Sequence, residues 1–182
     1  AASRLGRALT TPAESLMRIS SSMQKALNGQ VNKELGASYL YLAMAAYFAE
    51  KNRNGFARWM RMQAMEEAKH AMKIFDFIED RGGRVTLEAI DRPPPDFPSA
   101  LAVFELARDH ETKVSTGIHQ LFELAGTEKD YATQAMLQWF ITEQVEEEKT
   151  SAEIVETLRM IGDNASGLYM FDKELGRRGA TD

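Results

Sequence analysis

Carboxylate and imidazole side chains recur where the apolar stripe of a helix should continue. Four long segments each repeat apolar residues with four- and three-residue spacing, and each stripe is interrupted near its middle. The interrupting residues are Glu34, Glu67, His70, Glu111, Gln144 and Glu147. Burying an ionised carboxylate without a partner is costly, and no stripe supplies a lysine or arginine. Cations from outside the chain are therefore the expected partners.

The donor types favour one class of metal ion. Carboxylate oxygens with one imidazole suit Fe(II), Mn(II) or Zn(II) better than copper or a soft ion. Glu67 and His70 are three residues apart, which places their Cβ atoms about 5–6 Å apart on one helix face, close enough to bind one ion. Because the chain has no cysteine, thiolate nucleophiles, disulfides, iron–sulfur clusters and cysteine zinc sites are excluded.

Four long helices must position these side chains. The stripes cover about 21–50, 56–81, 99–124 and 129–161, and residues 168–175 fit a short final helix. The first and third connections are short, whereas residues 82–98 are long enough to run the length of a bundle. The predicted fold is all-α: a four-helix bundle with one long crossover connection and a short C-terminal fifth helix.

Composition and length indicate one globular domain. The 182 residues include 22 basic and 27 acidic side chains, and the net charge of −5 argues against a nucleic-acid partner. The longest apolar run, 39–49, is too short to span a bilayer, so no membrane partner is expected. We expect an N-terminal extension over 1–16, the bundle over 17–176 and a tail over 177–182. The sequence Thr11-Pro12-Ala13-Glu14 favours a short helix ending near Met17.

Several motifs resemble those of non-haem ferritins, and of the bacterial type in particular. They are VNKELGASYLY at 31–41, EEAKH at 66–70, RGGR at 81–84, TEQVEE at 142–147 and GLYMFDKEL at 167–175. The similarity covers about 17–176. It implies a ferroxidase that oxidises Fe(II) with O₂ or peroxide and stores a ferric oxyhydroxide mineral inside a homo-oligomeric cage of 24 subunits. It also implies a cytoplasmic protein, although the N-terminal extension leaves targeting to a compartment open.

The resemblance further implies roles for individual residues. The ligands of a first iron match Glu34, Glu67 and His70. The ligands of a second iron match Glu67, Glu111 and Glu147, with Gln144 beside it. The ligands of a third iron position match Glu66, Glu143 and Glu146. The candidate electron donors near the centre are Tyr41 and Trp139.

Two departures from related proteins narrow these expectations. Bacterioferritins have a haem-ligating methionine directly after the glutamate of Glu-x-x-His, and Ala68 stands there, so no haem is expected. Bacterioferritins also have a second Glu-x-x-His motif, whereas this chain has Gln144-x-x-Glu147 at the corresponding place. The missing histidine fits a site through which iron passes rather than one that holds iron permanently. His110 and His119 are expected to be ordinary surface or interface residues.

Two other functions are compatible with the same residues. A diiron oxygenase or peroxidase of the same bundle type would act on an organic substrate or on peroxide, and it would need a substrate pocket. A structural or interaction bundle would bind adventitious cations through its acidic residues. The size of the assembly separates these functions, because a cage favours iron storage and a dimer favours the oxygenase.

Overall fold

The computed structural model describes residues 18–177. Their regular secondary structure is entirely helical: α1 (Ser21–Glu50), α2 (Asn54–Asp80), α3 (Ala100–Glu128), α4 (Tyr131–Ile161) and α5 (Ala165–Leu175). The predicted all-α fold with a short fifth helix is confirmed. The predicted helix near Thr11–Met17 and residues 178–182 of the tail lie outside the described residues. None of the described helices is long and apolar enough to cross a membrane.

Local capping interactions set the helix ends. The hydroxyl of Ser20 accepts from the Met23 N–H at the start of α1, and the Asp130 carboxylate accepts from the Thr133 N–H at the start of α4. Just after α2, Gly82 has φ +66°, a left-handed conformation that glycine adopts without steric cost. These three caps explain why the chain turns where the sequence pattern breaks.

Two predicted boundaries differ from the structure. α3 continues through Gly126 and ends only where Lys129 takes a left-handed conformation with φ 56°. Gly126 allows close packing instead, because a Cβ there would lie 3.0 Å from Nε2 of Gln134. α5 begins at Ala165 rather than near residue 168, because the Asn164 side chain caps it.

The crossover connection, residues 81–99, lies along α1. Amide side chains of Gln24, Asn28 and Asn32 bond the backbone of residues 84, 86 and 88 at distances of 2.8–3.3 Å. Four helical residues rise about 6.0 Å and two extended residues about 6.6 Å, so the two spacings nearly match. The ladder of amides therefore fixes the path of the crossover between the α1–α2 pair and the α3–α4 pair.

Two apolar clusters fill the bundle, and the stripe-interrupting residues separate them along every long helix. The first cluster is rich in aromatic side chains and includes Phe48, Phe56, Phe104 and Phe171. The second is mainly aliphatic and includes Leu27, Ile74, Ile118 and Leu137. In each of α1–α4, the carboxylates fall in sequence between members of the two clusters. The fold therefore places a polar layer at mid-length, enclosed by apolar packing.

Candidate metal centre

The polar side chains that interrupt the four stripes are buried in the folded chain. Their exposed fractions are 0% for Glu34, 1% for Glu67 and Glu111, 4% for Gln144, 5% for His70 and 7% for Glu147. No lysine or arginine is buried anywhere in residues 18–177. The layer therefore gathers acidic groups without a buried basic side chain to compensate them.

Two neighbouring helices bring a compact set of ligand atoms together. Glu34 of α1 and Glu67 and His70 of α2 each offer one atom within 4.8 Å of the others. Nδ1 of His70 lies 3.5 Å from Oε2 of Glu67. Across 18–177, no other set of three or more acidic or imidazole side chains meets this spacing. The predicted pairing of Glu67 with His70 at three-residue spacing is therefore realised on one helix face.

The remaining carboxylates of the layer come from the other helix pair. Glu111 of α3 accepts hydrogen bonds from the Tyr41 hydroxyl and, at 3.3 Å, from Nε2 of Gln144. Oε2 of Glu147 on α4 accepts from Nε2 of Gln63 on α2 at 2.8 Å. Neutral donors therefore bind these carboxylates, and the hydrogen bonds cross the interior from one helix to another.

The hydrogen bonds leave a consistent set of oxygens uncommitted. Glu34 accepts from Nε2 of Gln30 at 2.8 Å through Oε1, whereas its buried Oε2 has no hydrogen-bond partner. Neither carboxylate oxygen of Glu67 has a hydrogen-bond partner, and both are buried. A carboxylate with two free oxygens can bind two cations at once, one through each oxygen. Glu67 is thus the one suited to bridge two ions.

Burial and mutual repulsion shift the acid–base properties of the layer. Desolvation, followed by the charge of Glu67, raises the pKa of Glu34 to about 8. Desolvation and the charge of Glu111 raise the pKa of Glu67 to about 8 as well. Burial also raises the pKa of Glu111, and it raises that of Tyr41 well above its usual value. Without a cation, Glu34 and Glu67 therefore favour the protonated form at neutral pH, and a bound cation would displace those protons.

The comparisons with known proteins agree with this arrangement. The ferritin-like domain family matches residues 24–161. The non-haem ferritin of Staphylococcus aureus (strain USA300) is 41% identical over 160 residues, covering 88% of this chain and 96% of the relative. The chain belongs to the ferritin family. As a non-haem ferritin, it is an iron-storage protein with ferroxidase activity.

Solved ferritin structures resemble this one closely. The open-pore ferritin of the hyperthermophilic archaeon Archaeoglobus fulgidus has a TM-score of 0.86 and 51% identity, covering 87% of this chain and 98% of that chain. A humanized archaeal ferritin has a TM-score of 0.86 and 49% identity, covering 87% and 96%. The ferritin resemblance inferred from motifs thus extends to the whole bundle.

The three residues predicted to bind a third iron are more exposed than the carboxylates of the buried layer. Glu66 and Glu143 are half-buried, and Glu146 is exposed. In the described chain, these three do not form a compact group of the kind made by Glu34, Glu67 and His70. Their role as ligands stays a prediction.

The aromatic candidates lie next to predicted iron ligands. Tyr41 is 1% exposed and donates to Glu111. The ring of Trp139 lies 5.4 Å from that of His70, and the ammonium of Lys73 lies 4.4 Å from the centre of the Trp139 ring. Both aromatic side chains thus contact the buried polar layer. Tyr41 is buried within it, whereas Trp139 lies at its edge and is partly exposed.

The structure places the other two histidines and shows two amides beside the layer that the sequence pattern did not single out. His119 is exposed as expected, but His110 is half-buried, stands edge-on to Tyr41 at 6.2 Å, and has a buried Nε2 without a hydrogen-bond partner. Gln30 and Gln63 donate to carboxylates of the layer. Both precede a stripe glutamate by four residues, and that repeated spacing was the available signal.

Proposed function

We propose that the buried layer is a diiron ferroxidase centre whose substrate is Fe(II). A first ion binds Glu34, Glu67 and His70, and a second binds Glu67, Glu111 and Glu147, with Gln144 beside it. The observation that carries this proposal is Glu67, a buried carboxylate with two oxygens free of hydrogen bonds. It lies among other carboxylates that raise its pKa. Two cations relieve the repulsion that the layer otherwise contains.

The reaction follows from the donor set. Anionic oxygens stabilise Fe(III) more than Fe(II), because the harder and more highly charged ion gains more from them. With O₂ as oxidant, two Fe(II) and two protons give two Fe(III) and one H₂O₂. With H₂O₂ as oxidant, two Fe(II) and two protons give two Fe(III) and two water molecules. Bound through the shared Glu67, the two ions would lie close enough for one oxidant molecule to take an electron from each.

Product must leave the centre if iron is to be stored. Gln144 is neutral where a charged ligand would hold Fe(III) more tightly, so it favours release. Glu66, Glu143 and Glu146 supply a third, weaker position toward the surface. Tyr41 and Trp139 are the candidate donors of the two further electrons needed when two Fe(II) reduce one O₂ fully to two water molecules. The product accumulates as a ferric oxyhydroxide mineral. No haem takes part, because Ala68 supplies no sulfur ligand.

Storage requires an enclosed space, which one bundle cannot provide. We infer assembly into a 24-subunit cage in the cytoplasm. Support comes from an exposed apolar surface formed by α1 and the crossover, where Tyr39 and Leu42 are each 48% exposed and Ile90 is 41% exposed. These side chains line a groove of about 320 Å³. Such a surface is typical of a face that a second subunit covers.

The substitution Glu67→Gln tests the centre directly. The amide keeps the size of the side chain but cannot bridge two cations through anionic oxygens. Oxidation of Fe(II) in air, followed by absorbance of Fe(III) after rapid mixing, should slow by more than about 10-fold, with the cage still assembled. The matched control is Glu79→Gln, an exposed position on the same helix, which should oxidise Fe(II) at the wild-type rate.

Two outcomes would contradict the proposal. Wild-type kinetics in Glu67→Gln would remove Glu67 from the centre. A wild-type protein that oxidises Fe(II) but retains only about two iron ions per chain after gel filtration would favour the oxygenase or peroxidase alternative. Retention of many more ions per chain supports storage, because only an enclosed mineral accounts for it.

A further inference from the structure

We propose that Gln30 is a positioning residue for the diiron centre, and that Gly117 provides the space in which Gln30 is held. The inference rests on the proposed function, because it takes Glu34 as a ligand of iron. Gln30 is 2% exposed, and its Nε2 donates to Oε1 of Glu34 at 2.8 Å. The two residues are one helical turn apart on α1. Gln30 is not itself among the proposed ligands.

The hydrogen bond decides which oxygen of Glu34 faces the metal. Oε1 is occupied by the amide, whereas Oε2 is buried and has no hydrogen-bond partner. Glu34 also belongs to the compact group with Glu67 and His70. A donor on one oxygen restricts rotation of the carboxylate and presents the other oxygen to a cation. Groups that orient a ligand in this way typically change metal affinity by about 10–100-fold when they are removed.

Gly117 explains how a full glutamine side chain fits at this depth. A Cβ at position 117 would lie 3.0 Å from Oε1 of Gln30 and 3.5 Å from Nζ of Lys33. Glycine inside a helix costs about 0.8–1 kcal/mol relative to alanine, so its presence in the middle of α3 calls for a structural reason. The close approach of Gln30 supplies that reason, since a side chain at 117 would require the Gln30 amide to shift from its position.

The choice of an amide matters as much as its position. A lysine or arginine at position 30 would bind Glu34 more strongly, but its positive charge would repel Fe(II). A neutral N–H orients the carboxylate without placing a positive charge beside the ion. Gln30 thus organises the centre before the ion arrives, without competing with it.

On α2, Gln63 is placed as Gln30 is on α1, but it donates to a different carboxylate. Gln63 precedes Glu67 by four residues, as Gln30 precedes Glu34, and it is fully buried. Its Nε2 donates across the bundle to Oε2 of Glu147, which the proposed centre assigns to the second iron. Gln63 also lowers the pKa of Glu67, which the proposed centre assigns to both ions, so removing Gln63 should affect both ions, whereas removing Gln30 should affect mainly the first.

The experiment uses the full-length metal-free protein and Co(II) as the probe. Anaerobic titration, followed by the visible absorbance of Co(II), resolves a first step at the histidine-containing position and a second at the all-carboxylate position. Gln30→Leu, which keeps the bulk and removes the N–H, should weaken the first step by about 10-fold or more and change the second by less than about 3-fold. Gln63→Leu should weaken the second step by about 10-fold or more and the first step as well, because Gln63 acts on both Glu147 and Glu67.

Kinetics and a matched control separate positioning from support of the fold. In Gln30→Leu, KM for Fe(II) should rise by about 10-fold or more, with kcat at saturating Fe(II) within about 3-fold of wild type. Gln24→Leu, the same change on the same helix, should leave both titration steps unchanged, because Gln24 contacts the crossover instead. Gly117→Ala tests the space beside the Gln30 amide without changing Gln30 itself. It should also weaken binding of Co(II) in the first step.

Several results would overturn the inference. Unchanged Co(II) affinity in Gln30→Leu would show that Glu34 needs no donor. Equal weakening of both steps with a lower melting temperature would make Gln30 a merely structural residue. If Gln30→Leu does not fold, unchanged first-step affinity in Gly117→Ala is decisive against it. A wild-type protein that binds Co(II) in two steps but does not oxidise Fe(II) would refute the proposed function alone.

Discussion

Glu67 differs from the other carboxylates of the layer in its hydrogen bonding. Glu34, Glu111 and Glu147 each accept a hydrogen bond from a neutral side chain, whereas both oxygens of Glu67 lack such a partner. A buried polar atom without a partner normally destabilises a fold by about 1–3 kcal/mol. Here the uncompensated atoms coincide with the proposed iron positions, so an ion bound there would relieve this destabilisation.

The raised pKa values predict how the metal-free protein responds to pH. Glu34 and Glu67 have pKa values of about 8 in the folded chain, against 4.5 as the reference for an unperturbed glutamate. Between these values the folded state binds more protons than the unfolded state, so the free energy of unfolding falls as pH rises. Melting temperatures of the metal-free protein should therefore decrease from pH 6 to pH 9.

Two comparisons check the origin of that trend. Glu67→Gln should show a weaker decrease, because its side chain does not ionise and no longer repels Glu34. Saturating Co(II) should also weaken the decrease, because the cation replaces the protons. The same slope in the wild type, in the variant and with Co(II) would contradict the assignment of the titration to these carboxylates.

At the level of helices, α2 contributes the most to the site. It supplies Glu67, His70 and Gln63, and its first turn is fixed by α5. The carboxylate of Asp172 on α5 accepts from the Phe56 N–H at 2.9 Å, and the Asp172 carbonyl lies directly against Gly55. Because the preceding residue, Arg53, makes no side-chain cap, α5 supplies the cap from elsewhere in the sequence.

This packing makes Gly55 intolerant of a larger residue. A Cβ at position 55 would overlap the backbone carbonyl of Asp172, which cannot move without displacing α5. Gly55→Ala should lower the free energy of unfolding by about 1–3 kcal/mol in denaturant titrations. The control is Gly29→Ala on α1, where a Cβ has open space and alanine should stabilise by up to about 1 kcal/mol. Equal effects of the two changes would refute the packing argument.

The whole molecule encloses a layer of carboxylate side chains between two apolar ends. Aromatic packing lies on one side and aliphatic packing on the other, and together they exclude water from the carboxylates. Low polarity raises the pKa of unbound glutamates and strengthens their attraction to a cation. The same burial therefore makes the ionised layer unfavourable without a cation, and it would strengthen binding of a cation at the proposed centre.

The apolar surface on α1 and the crossover predicts how assembly depends on single residues. Leu42→Lys places a charge in the groove beside Tyr39 and Ile90, and burying it between subunits would be costly. Size-exclusion chromatography with light scattering should show species smaller than the wild-type assembly. Leu42→Met, which keeps the apolar character, should assemble normally. A lysine variant with wild-type mass would show that this face stays exposed.

The sequence by itself determined the helices and indicated the residues that form the buried polar layer. Apolar spacing fixed the four long helices to within a few residues, because periodicity records which face must be buried. The interruptions at Glu34, Glu67, Glu111 and Glu147 identified the layer, because a charge on an apolar stripe is too costly to occur by chance on four helices. The resemblance of the motifs to those of non-haem ferritins indicated the iron chemistry.

Only the tertiary structure determined which hydrogen-bond donor binds which carboxylate oxygen. Hydrogen bonds from Gln63 to Glu147 and from Tyr41 to Glu111 join residues far apart in sequence, so no local spacing specifies them. The close packing at Gly117 and Gly126 was equally hidden, because a glycine in sequence reads the same whether it ends a helix or admits a neighbour. Periodicity is a property of one helix, whereas coordination geometry depends on the distances between helices, which exist only in the folded chain.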